Sequence, residues 1–80
     1  MTAIIHKPVS IDKSVRFGDR ITVWSFTTIC DGVEIGDDTV IGSNCFIGRD
    51  CRIGRGVHLP HWVFLPKGPI VKDRVVIGAH

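Results

Sequence analysis

The sequence predicts an all-β solenoid of short strands, because large apolar residues recur every six positions, glycine or proline follows many of them, and a small or β-branched residue precedes most by two. The large residues run Ile5, Ile11, Phe17, Val23, Ile29, Ile35, Ile41, Ile47, Ile53, Leu59, Leu65, Val71 and Ile77 without a slip. The second series is Ala3, Val9, Val15, Ile21, Thr27, Val33, Thr39, Cys45, Cys51, Val57, Val63 and Val75. Side chains alternate faces along a strand, so both series point inward and the residue between them points out. A helix fails on the same pattern: a period of six does not keep apolar residues on one face of a 3.6-residue turn, and glycine at this density is costly there.

Each strand must end in a turn. Gly18, Gly36, Gly42, Gly48, Gly54 and Gly78 follow the large residue directly, and Pro60 and Pro66 take the same place in two further repeats. Glycine is expected at these corners for backbone conformations that cost other residues.

Eighty residues make one small domain, read as residues 1–80, whose own core is modest, so self-association is expected. Hydrophobic residues at 44% and charged residues at 22% exclude a disordered chain. The net charge is +2, with Lys and Arg interleaved with acids, which argues against a nucleic-acid partner. No apolar run spans a membrane and no secretion signal opens the chain, so a cytoplasmic location is expected. Cys30, Cys45 and Cys51 form an odd set without CxxC spacing, which points to reduced thiols with no metal site.

An aliphatic residue, then Gly, then a small residue four positions after the aliphatic resembles the hexapeptide repeat of the left-handed β-helix acyltransferase superfamily, over Ile5 to Ile77. The resemblance implies a single-stranded left-handed parallel β-helix with three hexapeptides to each triangular coil. The chain then holds about four coils and no helical cap, a prism roughly 20 Å tall at the usual inter-strand spacing. Val23-Trp24-Ser25-Phe26, followed by Gly32 to Gly36, is most similar to the sugar-nucleotide N-acyltransferases. Those enzymes are longer, with later coils and a capping element that have no counterpart after His80, so the chain reads as a shortened relative.

With eighteen residues to a coil, residues eighteen apart stack in columns. One outward column reads Ile4, Thr22, Val40, His58 and Val76, and the next Ser10, Thr28, Phe46 and Phe64; both are largely apolar. The third, Arg16, Glu34, Arg52 and Ile70, is a solvated face for most of its length. The corner between the two apolar faces gathers Trp24, Phe26, Trp62 and Pro60 with Ser25, Ser43, Asn44, His61 and His80. An apolar edge of this extent marks an association surface.

The resemblance implies a homotrimer of parallel prisms that buries this edge, with an acyl-CoA, such as acetyl-CoA, lying in the cleft between subunits beside Trp24 and Trp62. Acyl transfer to an amino or hydroxyl group of a sugar needs a base, and histidine suits the task near neutral pH. His58 and His61 are the candidate bases, and Asn44 is a candidate to orient the acceptor. The same residues also suit a polar subunit interface. A non-catalytic trimeric β-helix is therefore the alternative, its trimers stacking end to end through unpaired strand edges. A zinc hydratase of this fold needs three imidazoles, and Thr22 and Ser25 stand two coils before His58 and His61 where a further histidine is required.

Overall fold

The computed structural model describes residues 2–68 and 70–74. Val75, Val76, Ile77, Gly78 and His80, which extend the repeat, one outward column and the corner, lie outside the described residues. Twelve short strands follow one another through the described part of the chain: β1 Ala3–Ile5, β2 Ser10–Ile11, β3 Arg16–Phe17, β4 Ile21–Val23, β5 Thr28–Ile29, β6 Glu34–Ile35, β7 Val40–Ile41, β8 Phe46–Ile47, β9 Arg52–Ile53, β10 His58–Leu59, β11 Phe64–Leu65 and β12 Ile70–Val71. They sort into three parallel sheets, β1-β4-β7-β10, β2-β5-β8-β11 and β3-β6-β9-β12. Ala3 pairs with Ile21, Thr22 with Val40, Phe46 with Phe64 and Arg52 with Ile70, so every coil advances eighteen residues. The chain is a left-handed parallel β-helix of about four coils, measuring 24 × 21 × 20 Å. Among the described residues no helix is long and apolar enough to cross a membrane.

The two inward series meet along the axis. Ile21, Val23, Ile29, Val33, Ile35, Ile41, Cys45, Ile47, Cys51, Ile53, Val57, Leu59, Val63 and Val71 form one buried cluster, with Ile5, Ile11 and Phe17 packed partly buried against it. Two inward positions hold threonine, and each hydroxyl bonds between coils. Thr27 donates to the Gly42 carbonyl (2.7 Å) and accepts from the Cys45 amide (3.3 Å); Thr39 does the same with Gly54 (2.9 Å) and Val57 (3.3 Å). A buried hydroxyl is tolerated only when bonded in this way.

Glycine's place in the turns has a different cause from the expected one. A positive φ recurs every six residues, at Arg20, Phe26, Gly32, Asp38, Asn44, Asp50, Gly56, Trp62, Gly68 and Arg74, three positions after the large inward residue. Of the glycines directly after that residue, Gly18, Gly36, Gly42, Gly48 and Gly54 are not in the left-handed region. They are required by close approach: a Cβ at Gly42 would lie 2.6 Å from the Pro60 carbonyl carbon and the His61 nitrogen, and one at Gly48 2.6 Å from the Pro66 carbonyl carbon. At these glycines the next coil lies too close for a side chain directed along the axis.

The third face is solvated, with Arg16, Glu34 and Arg52 exposed, and ion pairs join neighbouring coils at its corners. Arg20 reaches Asp38 (2.6 Å) and Arg49 reaches Asp31 (3.2 Å). The side chains of Asp37 and Asp73 accept backbone N–H groups from Asp19 and Arg55, both at 2.8 Å.

Candidate functional site

The corner between the first and second sheets is built from three columns of turn residues. Directly after the first-sheet strands stand His6, Trp24, Gly42 and Pro60, one to each coil. The His6 and Trp24 rings stack with centroids 4.2 Å apart and planes 6° from parallel, which braces the indole from below. In the next coil Gly42 carries no side chain. A hollow of about 310 Å³ results, lined by Trp24, Val40, Gly42, His58, Leu59, Pro60 and His61. Its walls are mostly apolar carbon, with the two imidazoles as the polar exceptions, the usual make-up of a small-molecule site.

The two histidines reach the hollow by different routes. His58 is the outward residue of β10, stacked in register over Val40, and its imidazole has no hydrogen-bond partner among the described residues. Both ring nitrogens are uncommitted. His61 belongs to the turn column Lys7, Ser25, Ser43, His61. Its Nδ1 accepts the Ser43 backbone N–H at 2.7 Å and lies 2.8 Å from the Ser43 hydroxyl. Lower in the column the Ser25 hydroxyl donates to the Lys7 carbonyl at 3.2 Å.

Asn44 and Trp62 lie elsewhere. Both occupy the left-handed turn position, with φ of 59° and 68°, and neither lines the hollow. Phe26 shares their column at φ 64°. The amides of Asn44 and Trp62 bond to the Ser25 and Ser43 carbonyls below them, at 3.1 and 3.0 Å. Asparagine tolerates the left-handed region, whereas a bulky aromatic there costs about 1–2 kcal/mol, so two of the three positions carry strain. The Phe26 and Trp62 side chains are 64% and 72% exposed, and beside them Phe46 and Phe64 stack at 5.2 Å on the second face. The corner thus divides into a hollow facing the first sheet and an aromatic ridge facing the second.

Of the residues singled out from sequence, the fold brings Trp24, His58 and His61 together and leaves Asn44 and Trp62 on the ridge. Sequence reasoning passed over Gly42 and His6 at this corner and placed Ser43 and Pro60 there without a role, although the eighteen-residue columns contain the signal, since Ser43 precedes His61 by one coil. The inward Cys45 donates through Sγ to the Pro60 carbonyl at 3.1 Å, and Cys51 to the Pro66 carbonyl at 3.3 Å. Burial pushes both thiols up, so neither is a ready nucleophile. Among the described residues no three His, Cys, Asp or Glu side chains converge to hold a metal.

The model of the bacterial transferase hexapeptide family (six repeats) matches residues 14–49 and again 32–67, which together cover more than half of the chain. The chain belongs to that family. Among solved structures it is similar to a mutant perosamine N-acetyltransferase from Caulobacter crescentus, crystallised with CoA and GDP-perosamine. The two share 28% identity at a TM-score of 0.65, and the match covers 99% of this chain. The chain spans 43% of that enzyme's length. No curated protein matches it.

Proposed function

We propose that this hexapeptide-family chain transfers an acetyl or other acyl group from acyl-CoA to an amino or hydroxyl group of a sugar nucleotide, at clefts between the subunits of a homotrimer in the cytoplasm. The observation that carries this reading is the hollow in which Trp24, His58 and His61 converge. Family membership and the likeness to an enzyme crystallised with CoA and a sugar nucleotide give the reaction class.

The lining suits the thioester end of an acyl-CoA, which is uncharged and partly apolar: Val40, Leu59, Pro60 and the Trp24 ring present carbon, and two imidazoles supply the polar contacts. None of the seven lining residues is Lys or Arg, so the phosphates would lie beyond them. Bound there, acyl-CoA supplies an activated acyl group. His58, whose imidazole has no hydrogen-bond partner among the described residues, would take the proton of the attacking amine or hydroxyl. The exposed ridge of Phe26, Trp62 and Phe64 supports a homotrimer, because three such side chains in one patch are rarely left to water. That ridge is equally what a non-catalytic trimeric module would present, and one measurement separates the two.

Calorimetric titration with acetyl-CoA is expected to give binding in the wild type and at least tenfold weaker binding in Trp24→Ala, with trimer retained in sedimentation. The absence of heat up to millimolar acetyl-CoA would favour the module. A monomer at micromolar concentration would remove the trimer from the reading.

A further inference from the structure

We propose that Ser43 is a positioning residue that locks His61 as a hydrogen-bond donor, leaving His58 as the base of the pair; this rests on the acyl-transfer reading above. The Ser43 amide sets the roles of the two ring nitrogens. A backbone N–H can only donate, and this one points at Nδ1 of His61 from 2.7 Å. Nδ1 must therefore accept, and in neutral imidazole the single ring proton then sits on Nε2. The Ser43 hydroxyl, 2.8 Å from the same nitrogen, is able to donate or accept and so adapts to the choice the amide has made. The Ser43 amide has no other acceptor in the turn, so losing His61 would leave it without a partner in the protein.

The consequence for chemistry is a division of labour. The lone pair that would accept a substrate proton is taken at Nδ1, and the Nε2 atom already carries a proton. His61 is thus unfit to be the base in this arrangement, and fit to donate a fixed N–H. His58, on the same hollow, has no hydrogen-bond partner and keeps a lone pair available. In acyl transfer the acceptor nitrogen or oxygen bonds to the acyl carbon and its proton passes to His58. The carbon–sulfur bond then breaks and the departing thiol takes that proton back from His58. The carbonyl oxygen gains negative charge as the new bond forms, and the His61 Nε2–H is the donor assigned to it. Removing one preorganised donor of this kind costs on the order of a hundred- to a thousandfold in rate.

Two experiments on the whole chain test this. The first is independent of activity: long-range 1H–15N correlation spectra of the imidazoles, recorded where the rings are neutral, should show His61 as the Nε2–H tautomer alone and His58 as a mixture. Ser43→Ala keeps the amide and should keep the His61 tautomer. A predominant Nδ1–H form of His61 in the wild type would overturn the proposal.

The second compares His61→Gln with His61→Ala, using acetyl-CoA and GDP-perosamine as probes. Glutamine places an N–H donor near the Nε2 position and has no basic lone pair. It should hold the rate within about tenfold of the wild type while alanine loses a hundredfold or more. Equal losses in the two variants would make His61 something other than a donor. A wild type that transfers no acetyl group yet shows the Nε2–H tautomer would sink the acyltransferase reading and leave His61 a locked donor.

Discussion

Replacing Gly42 with alanine tests the reason for glycine at the corners and disturbs the candidate site with a single carbon. The added Cβ would lie 2.6 Å from the His61 nitrogen, 2.6 Å from the Pro60 carbonyl carbon and 2.9 Å from the Leu59 oxygen. All three belong to the backbone of the next coil, so no side chain can swing aside. Ordinary contact begins near ~3.5 Å, which means the coils must part locally by about 0.9 Å. The Gly42 amide donates to the Leu59 carbonyl at 2.7 Å, and the same opening carries that bond past the usable range. The neighbouring bond from the Ser43 amide to His61, also 2.7 Å, is strained with it. Two hydrogen bonds at about 1 kcal/mol each, with overpacking of about 1–3 kcal/mol, give an expected loss of about 3–5 kcal/mol.

At about 4–8 °C for each kcal/mol in a domain of this size, the melting temperature should fall by more than about 10 °C. Gly68→Ala is the control, because its φ is +89° and nothing lies within 4 Å of an added Cβ. That substitution meets backbone strain without a clash and should cost about 1–2 kcal/mol. Thermal and urea unfolding of both variants at one protein concentration would measure the difference. A Gly42→Ala protein within 0.5 kcal/mol of wild type would refute the close-approach argument, and a larger loss at Gly68 than at Gly42 would mean that φ strain at Gly68 outweighs crowding at Gly42.

Two further outcomes follow from the interior and the surface. Thr27→Val keeps the shape but removes the hydroxyl that serves the Gly42 carbonyl and the Cys45 amide, so urea unfolding should show a loss of about 1–3 kcal/mol; an unchanged midpoint would mean that those backbone groups find other partners. The hydrogen bond from Arg20 holds the Asp38 carboxyl below its ordinary value, so its contribution is present above the unfolded-state value and fades as the pH falls through the lower folded-state one. Wild type should therefore exceed Asp38→Asn in melting temperature at neutral pH, by a small margin since both partners are exposed, and the two should converge in acid. A difference that does not vary with pH would refute this assignment.

Much of the fold was legible because its two governing periods are geometric. Alternation along a strand places Val57 and Leu59 inside and His58 outside whatever surrounds them. The eighteen-residue coil, carried from the family resemblance, then puts His58 over Val40 and Phe64 over Phe46, as the register shows. The reason for the corner glycines was misread, since the residue after the large apolar one needs space while the residue two further on takes the positive φ. Hydropathy is silent on that distinction, as both are turn positions. The threonines read simply as small inward residues, and their bonds to backbone carbonyls depend on how far one coil sits above the next.

For the candidate site the division is similar. Sequence placed Trp24, His58, His61, Asn44 and Trp62 at or beside one corner, and the coordinates separate them. Asn44 and Trp62 take left-handed turn positions that turn the chain toward the second sheet, whereas the column of Trp24, Gly42 and Pro60 opens on the first. The contact between Ser43 and His61 joins residues in adjacent coils of one column, so the periodicity makes it possible, but the ring's rotation into the amide is a matter of side-chain packing.

The sequence by itself determined the repeating short strands and their inward residues, because each depends only on a period, and a period is a property of the chain; the three faces came with the family resemblance. Only the tertiary structure decided which turn residues share a hollow, which nitrogen of His61 is bonded and which glycines are held by crowding. Those depend on a few tenths of an ångström between stacked coils, a distance set jointly by every backbone bond and side chain in the layers.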